Sequence, residues 1–278
     1  MEKMRYRFYF LMIVLVGIFS CNINPKDNIT YPEYYKLKRK ISKVMEDGDL
    51  DIGILKFDSL IAKVPFVPSF DYFRMAKFCA EKGRCDMAVK YLELSFRNGH
   101  EYDEVVNSIN QLSSCMLKLK DLIFKESSIH QKYFNFEYKT IIDSMFMVDQ
   151  NAREGKGNAI GDTDSLNFML LLDLIKRYGY PSEQLIGSSS AFNAYIMLLH
   201  MDRDLDNVKL KPILDDAFNH GYLDPTGYAW IVDRRRIWGP KKIEPYYYHM
   251  RSEHYDDLTK NEIIEINRRR DSIGLGPI

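Results

Sequence analysis

A twelve-residue pattern occurs twice in this chain, and its spacing restricts what the chain can fold into. Glu46-Asp47-Gly48-Asp49-Leu50-Asp51-Ile52-Gly53-Ile54-Leu55-Lys56-Phe57 aligns with Glu81-Lys82-Gly83-Arg84-Cys85-Asp86-Met87-Ala88-Val89-Lys90-Tyr91-Leu92 at an offset of 35 residues. A period of roughly 20 to 50 residues marks small supersecondary units that bury a core only by stacking on one another. In the second copy Tyr72, Met75, Ala76 and Cys79 recur at helical spacing and face inward. Gly83 makes the turn, and Ala88, Leu92 and Ser95 fill the inner face of the next helix.

The pairing resembles a degenerate tetratricopeptide array over roughly residues 34 to 100, whose period is about 34 residues. The resemblance implies stacked helical hairpins with a concave surface for a peptide or protein partner; two copies are equally a structural cap on the C-terminal part of the chain. Helical spacing continues through Val105, Ile109, Leu112, Met116 and Leu119, and again from Tyr138 through Ile141, Ile142 and Met145. Asp164 reads as the cap of a helix through Leu166, Met169, Leu170, Leu174 and Tyr178, ended by Gly179 and Pro181. Ser188 to Ser190 cap the next, through Tyr195, Ile196 and Leu199 to His200. Asp224-Pro225 opens another, and a last helix from about Asp257 stops at Gly274. No run alternates in the manner of a strand. The expected fold is mainly α, tetratricopeptide-like hairpins at 34–103 followed by an α-helical domain at 104–278.

The N-terminus carries an address. Lys3, Arg5 and Arg7 precede twelve uncharged residues, Phe8 to Phe19, closed by Ser20 and Cys21, the basic, apolar, small order of a secretory signal. Ile18-Phe19-Ser20-Cys21 resembles a bacterial lipobox, with Phe19 bulkier than the strictest examples carry. The resemblance implies cleavage after residue 20 and acylation of Cys21, a partner in the membrane, and a bacterial cell-envelope location. The apolar run is too short for a span, which needs about 20 residues. Asn22 to Pro32 then reads as a polar tether within the segment 21–33.

Charge removes one class of partner. The 39 basic and 39 acidic residues balance, and loss of residues 1–20 leaves 36 against 38, so no field of one sign is present to hold nucleic acid. Neither CxxC nor HExxH occurs, so no metal or other cofactor is implied. Apart from Cys21 the chain holds Cys79, Cys85 and Cys115, which cannot all pair. Cys79 and Cys85 can bridge in an oxidising compartment, or Cys79 can sit buried as a small apolar side chain.

Ordered motifs fill the second half: Asp149-Gln150-x-x-Arg153, Asp164-x-x-Asn167, Gly179-x-Pro181, Gly187, His200, Tyr228-Ala229-x-x-x-Asp233-Arg234 and Asn267-x-x-Arg270-x-x-Ile273-Gly274-Leu275. Together, over about residues 138 to 278, they resemble a family of uncharacterised bacterial proteins found in secreted and lipid-anchored chains. That family often has glutamine where this chain has Leu199, and a Gln-x-Tyr-Gly segment where this chain runs from Gly239 to Tyr248. The polar positions implied are Asp149, Gln150, Arg153, His200, Asp233 and Arg234. Asp149 and Arg153 lie four apart and can pair on one helix face, worth about 0.3 to 0.5 kcal/mol when exposed. His200, set beside Asp149 or Asp233, can act as a general base, with Gln150, Arg153 or Arg234 holding an anionic group. The same residues can equally form a satisfied network that fixes helix packing. Two functions are therefore expected candidates: an envelope module that binds a protein or ligand, or a hydrolase-like enzyme acting through Asp149, His200 and Asp233.

Overall fold

The computed structural model describes residues 28–108, 112, 115, 119, 123, 125, 129–200, 210–238, 244–247, 249, 255 and 257–278, and among these the chain is mainly α with no strand. Cys21 and the signal segment lie outside the described residues. Helix α1 (Tyr31–Glu46) begins inside the segment that composition assigns to a tether. The reason is a capping box: the Thr30 hydroxyl accepts the Glu33 N–H at 3.4 Å, and the Glu33 carboxylate accepts the Thr30 N–H at 3.0 Å. Tyr31 is buried, and its hydroxyl donates to the Phe66 carbonyl at 2.9 Å.

Helices α1 and α2 (Leu50–Ile61) form one hairpin, α3 (Ser69–Glu81) and α4 (Cys85–Arg97) the next. Gly48 and Gly83 sit at the aligned turns with φ of +103° and +68°. Neither has a neighbour within 4 Å of where a Cβ would stand, so the left-handed backbone alone selects glycine. Small residues recur at the aligned positions Gly53 and Ala88, and a Cβ at Gly53 would overlap the Met45 side chain. The residues expected to face inward, Tyr72, Met75, Ala76, Cys79, Ala88, Leu92 and Ser95, are all buried.

The first core does not stop at residue 103. Val105 on the short helix α5 (Tyr102–Asn107), and beyond it Leu112, Cys115, Leu119 and Ile123, pack into the same cluster as Phe57, Tyr91 and Leu92. A disulfide joins Cys85 to Cys115, not to Cys79. The chain returns past the start of α4, a long-range approach that sequence spacing does not show. Cys79 is a free thiol in the interior, and burial pushes its pKa up to about 11.

A second core runs from Tyr138 to Leu275. Helix α6 (Phe136–Arg153) packs on α7 (Ile160–Tyr178) and α9 (Ser188–His200); α9 also meets the short α8 (Glu183–Ile186) and α11 (Pro225–Trp238). Helices α10 (Leu210–Asn219) and α12 (Lys260–Ser272) complete it. Asp164 is not the cap of α7, which starts four residues earlier at Ile160. Asp224 does cap α11, accepting the Gly227 N–H at 2.9 Å with Pro225 at the first position.

Specific bonds join the two cores. The Ser69 N–H donates to Glu183 at 2.7 Å, Ser188 N–H to the Gly99 carbonyl at 2.9 Å, and Lys139 pairs with Glu101 at 3.1 Å. Gly221 has φ of +77° and lies flat against the Tyr31 ring, where any Cβ would overlap. No helix among the described residues is long and apolar enough to cross a membrane.

Candidate functional site

The last two turns of α6 carry Asp149, Gln150 and Arg153, and the end of α9 brings His200 against them. Asp149 is 1% exposed. Its carboxylate accepts from Arg153 Nη2 at 3.0 Å, Arg153 Nε at 3.2 Å and Gln150 Nε2 at 2.8 Å, and lies 2.9 Å from His200 Nδ1. Arg153 Nη2 also donates to Asp164 on α7 at 2.6 Å. Four of the six implied positions therefore meet, and Asp164 joins them.

His200 Nδ1 lies 2.9 Å from Asp149 Oδ2 and 2.9 Å from Arg153 Nε, so it donates to the carboxylate or accepts from the guanidinium according to its tautomer. Burial pushes the Asp149 carboxyl up, but the hydrogen bonds from His200 and Arg153 outweigh it and hold the pKa below its ordinary value. His200 and Arg153 side chains are 17% and 25% exposed.

Asp233 and Arg234 do not join this group. Asp233, fully buried, accepts the backbone N–H groups of Tyr246, Tyr247 and His249 at 2.7, 2.8 and 2.7 Å, clasping the segment just after α11. Burial raises its pKa and the three amides oppose the rise. The Arg234 guanidinium lies over the Trp238 ring, 4.9 Å from its centroid. The pairing of His200 with Asp233 is thus corrected: a carboxylate that holds three amides of one loop is a structural clasp.

A different feature lies in the second unit and extends to its contact with the first. Two adjoining chambers, of about 420 and 400 Å³, share Glu183, Asp224 and Thr226 in their common wall. Tyr180, Phe192, Tyr195, Tyr222 and Trp230 line the first, whose only charged side chains among the described residues are Glu183 and Asp224. The second adds Tyr35, Lys38, Arg39, Phe70, Asp71 and Arg74. Its cations are engaged: Lys38 with Asp71 at 2.8 Å, Arg74 with Glu46 at 3.3 Å, and Arg39 with the Gly274 carbonyl. The Tyr35 hydroxyl is buried without a hydrogen-bond partner among the described residues. Asp149, Arg153 and His200 line neither chamber.

Burial raises the Glu183 pKa to about 7, against the Ser69 N–H that its carboxylate accepts. Behind it, His100 stacks on the Phe73 ring at 4.6 Å, and burial lowers its pKa to about 4. Sequence reading found Asp224 only as a helix cap and passed over Glu183, Tyr35 and His100. Glu183 opens a helix of four residues, too short for periodicity to register. The one signal within reach was the density of Tyr, Phe and Trp near residues 180, 192, 195, 222 and 230. Among the described residues no group of three or more His, Cys, Asp or Glu is placed to hold a metal ion. Set against protein-family models, curated proteins and solved structures, the chain matches none.

Proposed function

We propose that this is a lipid-anchored protein of the bacterial cell envelope that binds a small ligand in an aromatic cavity of its second helical unit. The observation that carries the reading is the aromatic chamber of about 420 Å³. Ligand sites are concave, mostly apolar, of roughly 300 to 1,000 Å³, and furnished with a few polar groups. The Ile18-Phe19-Ser20-Cys21 sequence supports anchoring, and the Cys85–Cys115 disulfide supports export, since disulfides persist in oxidising compartments. The 35-residue repeat and its aligned glycine turns support a tetratricopeptide-like description of the first unit, which would place the ligand beside a surface suited to a protein partner.

Hydrolysis through His200 is the second reading, favoured by one observation: the buried Asp149 carboxylate lies 2.9 Å from His200 Nδ1, the arrangement a general base would use if Nδ1 donates to it. Its other requirements are less well met. Arg153 already serves Asp149 and Asp164, and Asp233 and Arg234 are engaged elsewhere. The cluster is therefore assigned to holding α6, α7 and α9 together.

A thermal-shift panel of small envelope metabolites, run on the wild type and on an Ala191→Phe variant that fills the chamber, tests the first reading. Ligands are expected to raise the midpoint of the wild type alone. Equal shifts in both proteins, or none in either, would overturn it. The second reading requires a hydrolytic activity that His200→Gln abolishes and Ala191→Phe leaves intact.

A further inference from the structure

The chemistry of the first chamber selects among ligands. Its rim is aromatic and open: Phe192, Trp230 and Tyr222 rank among the exposed large apolar side chains of the molecule. Isolated exposed apolar residues need no explanation, but three around one cavity mark a binding face. Among the described residues the lining behind the rings holds two carboxylates and no lysine, arginine or histidine, with His220 and His249 on the outer sides of Tyr222 and Trp230. An anionic ligand would meet uncompensated charge of its own sign.

Each carboxyl group has a structural duty and keeps capacity beyond it. Asp224 Oδ1 accepts the Gly227 N–H, and Glu183 accepts from both the N–H and the side chain of Ser69. A carboxylate offers about four acceptor sites, so both keep acceptor capacity for a ligand's donors. Tyr35 is a second, independent sign: among the described residues its buried hydroxyl lacks a partner, in the adjoining second chamber that shares Glu183 and Asp224. Polar groups left like this in a native interior call for a missing partner.

We infer that the first chamber binds a small organic cation, an alkylammonium group set against Glu183 and Asp224 with its aliphatic body on Trp230, Phe192 and Tyr195. This rests on the ligand-binding reading above and narrows it. An ammonium supplies donors to both carboxylates, and aromatic faces attract cations through the ring quadrupole, tryptophan most strongly. Of the three cations in the second chamber, Lys38 is neutralised by Asp71 and Arg74 by Glu46, and Arg39, which does not line the first chamber, is held away on the Gly274 carbonyl. Burial has already raised the Glu183 carboxyl to about 7, the mark of a carboxylate wanting positive charge nearby.

Calorimetric titration of the folded protein with cadaverine, tetramethylammonium, methyl glucoside and acetate tests the class. Cadaverine is expected to bind, more weakly as salt rises, and acetate not at all. Glu183→Gln keeps an acceptor for the Ser69 N–H while removing the charge, and it should weaken cadaverine about tenfold or more. Ala191→Phe, which touches neither carboxylate, should abolish binding, and circular dichroism of both variants confirms that they are folded. Glucoside binding that Ala191→Phe removes, without cadaverine binding, overturns the cation while the ligand-binding reading stands. Cadaverine binding unchanged in Glu183→Gln or in Ala191→Phe also overturns the assignment. Binding of none of the four overturns the cation, and silence across the thermal-shift panel as well removes the ligand-binding reading.

Discussion

Breaking the Cys85–Cys115 bond is expected to cost a large part of the stability of the first helical unit. The two cysteines are 30 residues apart. Closing a loop of that length removes about 12 cal/mol/K from the unfolded chain, or about 3 to 4 kcal/mol at 25 °C. The loop contains α4 and α5, and Cys115 lies buried beside Leu112 and Leu119, so little of the loss can be recovered by relaxation. Urea unfolding of wild type, of wild type in reductant and of Cys85→Ser measures this. With a slope of about 2 kcal/mol/M, the midpoint should fall by about 1.5 to 2 M in both perturbed samples. Peptide mapping of the oxidised protein should recover Cys85 joined to Cys115 and a free Cys79. A midpoint shift below about 0.3 M, or a Cys79–Cys85 peptide, would refute the reasoning.

Removing the buried acceptor in Asp149→Ala strands Arg153 and His200; loss of one partner from a buried pair costs about 3 to 5 kcal/mol, and partial hydration of the two survivors places the expected loss near 2 to 3 kcal/mol by denaturant titration. Folded Asp149 binds its proton more weakly than the unfolded chain, so its contribution is present above the ordinary carboxylate value and lost as pH falls through the lower folded one. Acid unfolding should therefore begin at higher pH in Asp149→Ala. Glu183, facing Ser69, Asp71 and Glu104, is raised from 4.5 to about 7, so it lowers stability as pH rises through that window. His100, facing Glu101 and Lys77, is lowered from 6.5 to about 4 and raises stability as pH rises between those values. The two nearly cancel between pH 4.5 and 6.5 in the wild type, whereas Glu183→Gln should show a rise of about 3 kcal/mol across it in pH-resolved denaturation. Cys21→Ser should move the protein from the membrane fraction to the soluble fraction of an expressing bacterium.

The hairpins were legible because two independent signals agreed: apolar spacing of 3.6 residues and a glycine at each aligned turn. Where a buried face is polar, the pattern misleads. On α7 the inward residues are Thr163, Asp164, Asn167, Leu171 and Leu174, while Leu166, Met169 and Leu170, which carried the apolar reading, are exposed. The polar half of that inner face is the Arg153 network, so the residues that break the hydrophobic pattern help build the cluster. Asp149, Arg153 and His200 were found from ordered motifs, which mark chemistry without marking distance. Asp233 belonged to the same order and serves a loop 13 to 16 residues downstream. The cavity was illegible because its walls come from α1, α3, α8, α9 and α11, and the contact between two cores is not encoded locally.

The chain has two tryptophans, one in the chamber wall and one stacked on Arg234, and this makes the central proposal directly measurable. In protein labelled with ¹⁵N at the indole nitrogens, cadaverine is added while the Trp230 and Trp238 resonances are followed, assigned by Trp230→Phe. The Trp230 signal is expected to shift saturably, with Trp238 stationary and the effect absent in Ala191→Phe. A stationary Trp230 at saturating amine, or movement of Trp238 alone, would contradict a cation site in the aromatic chamber.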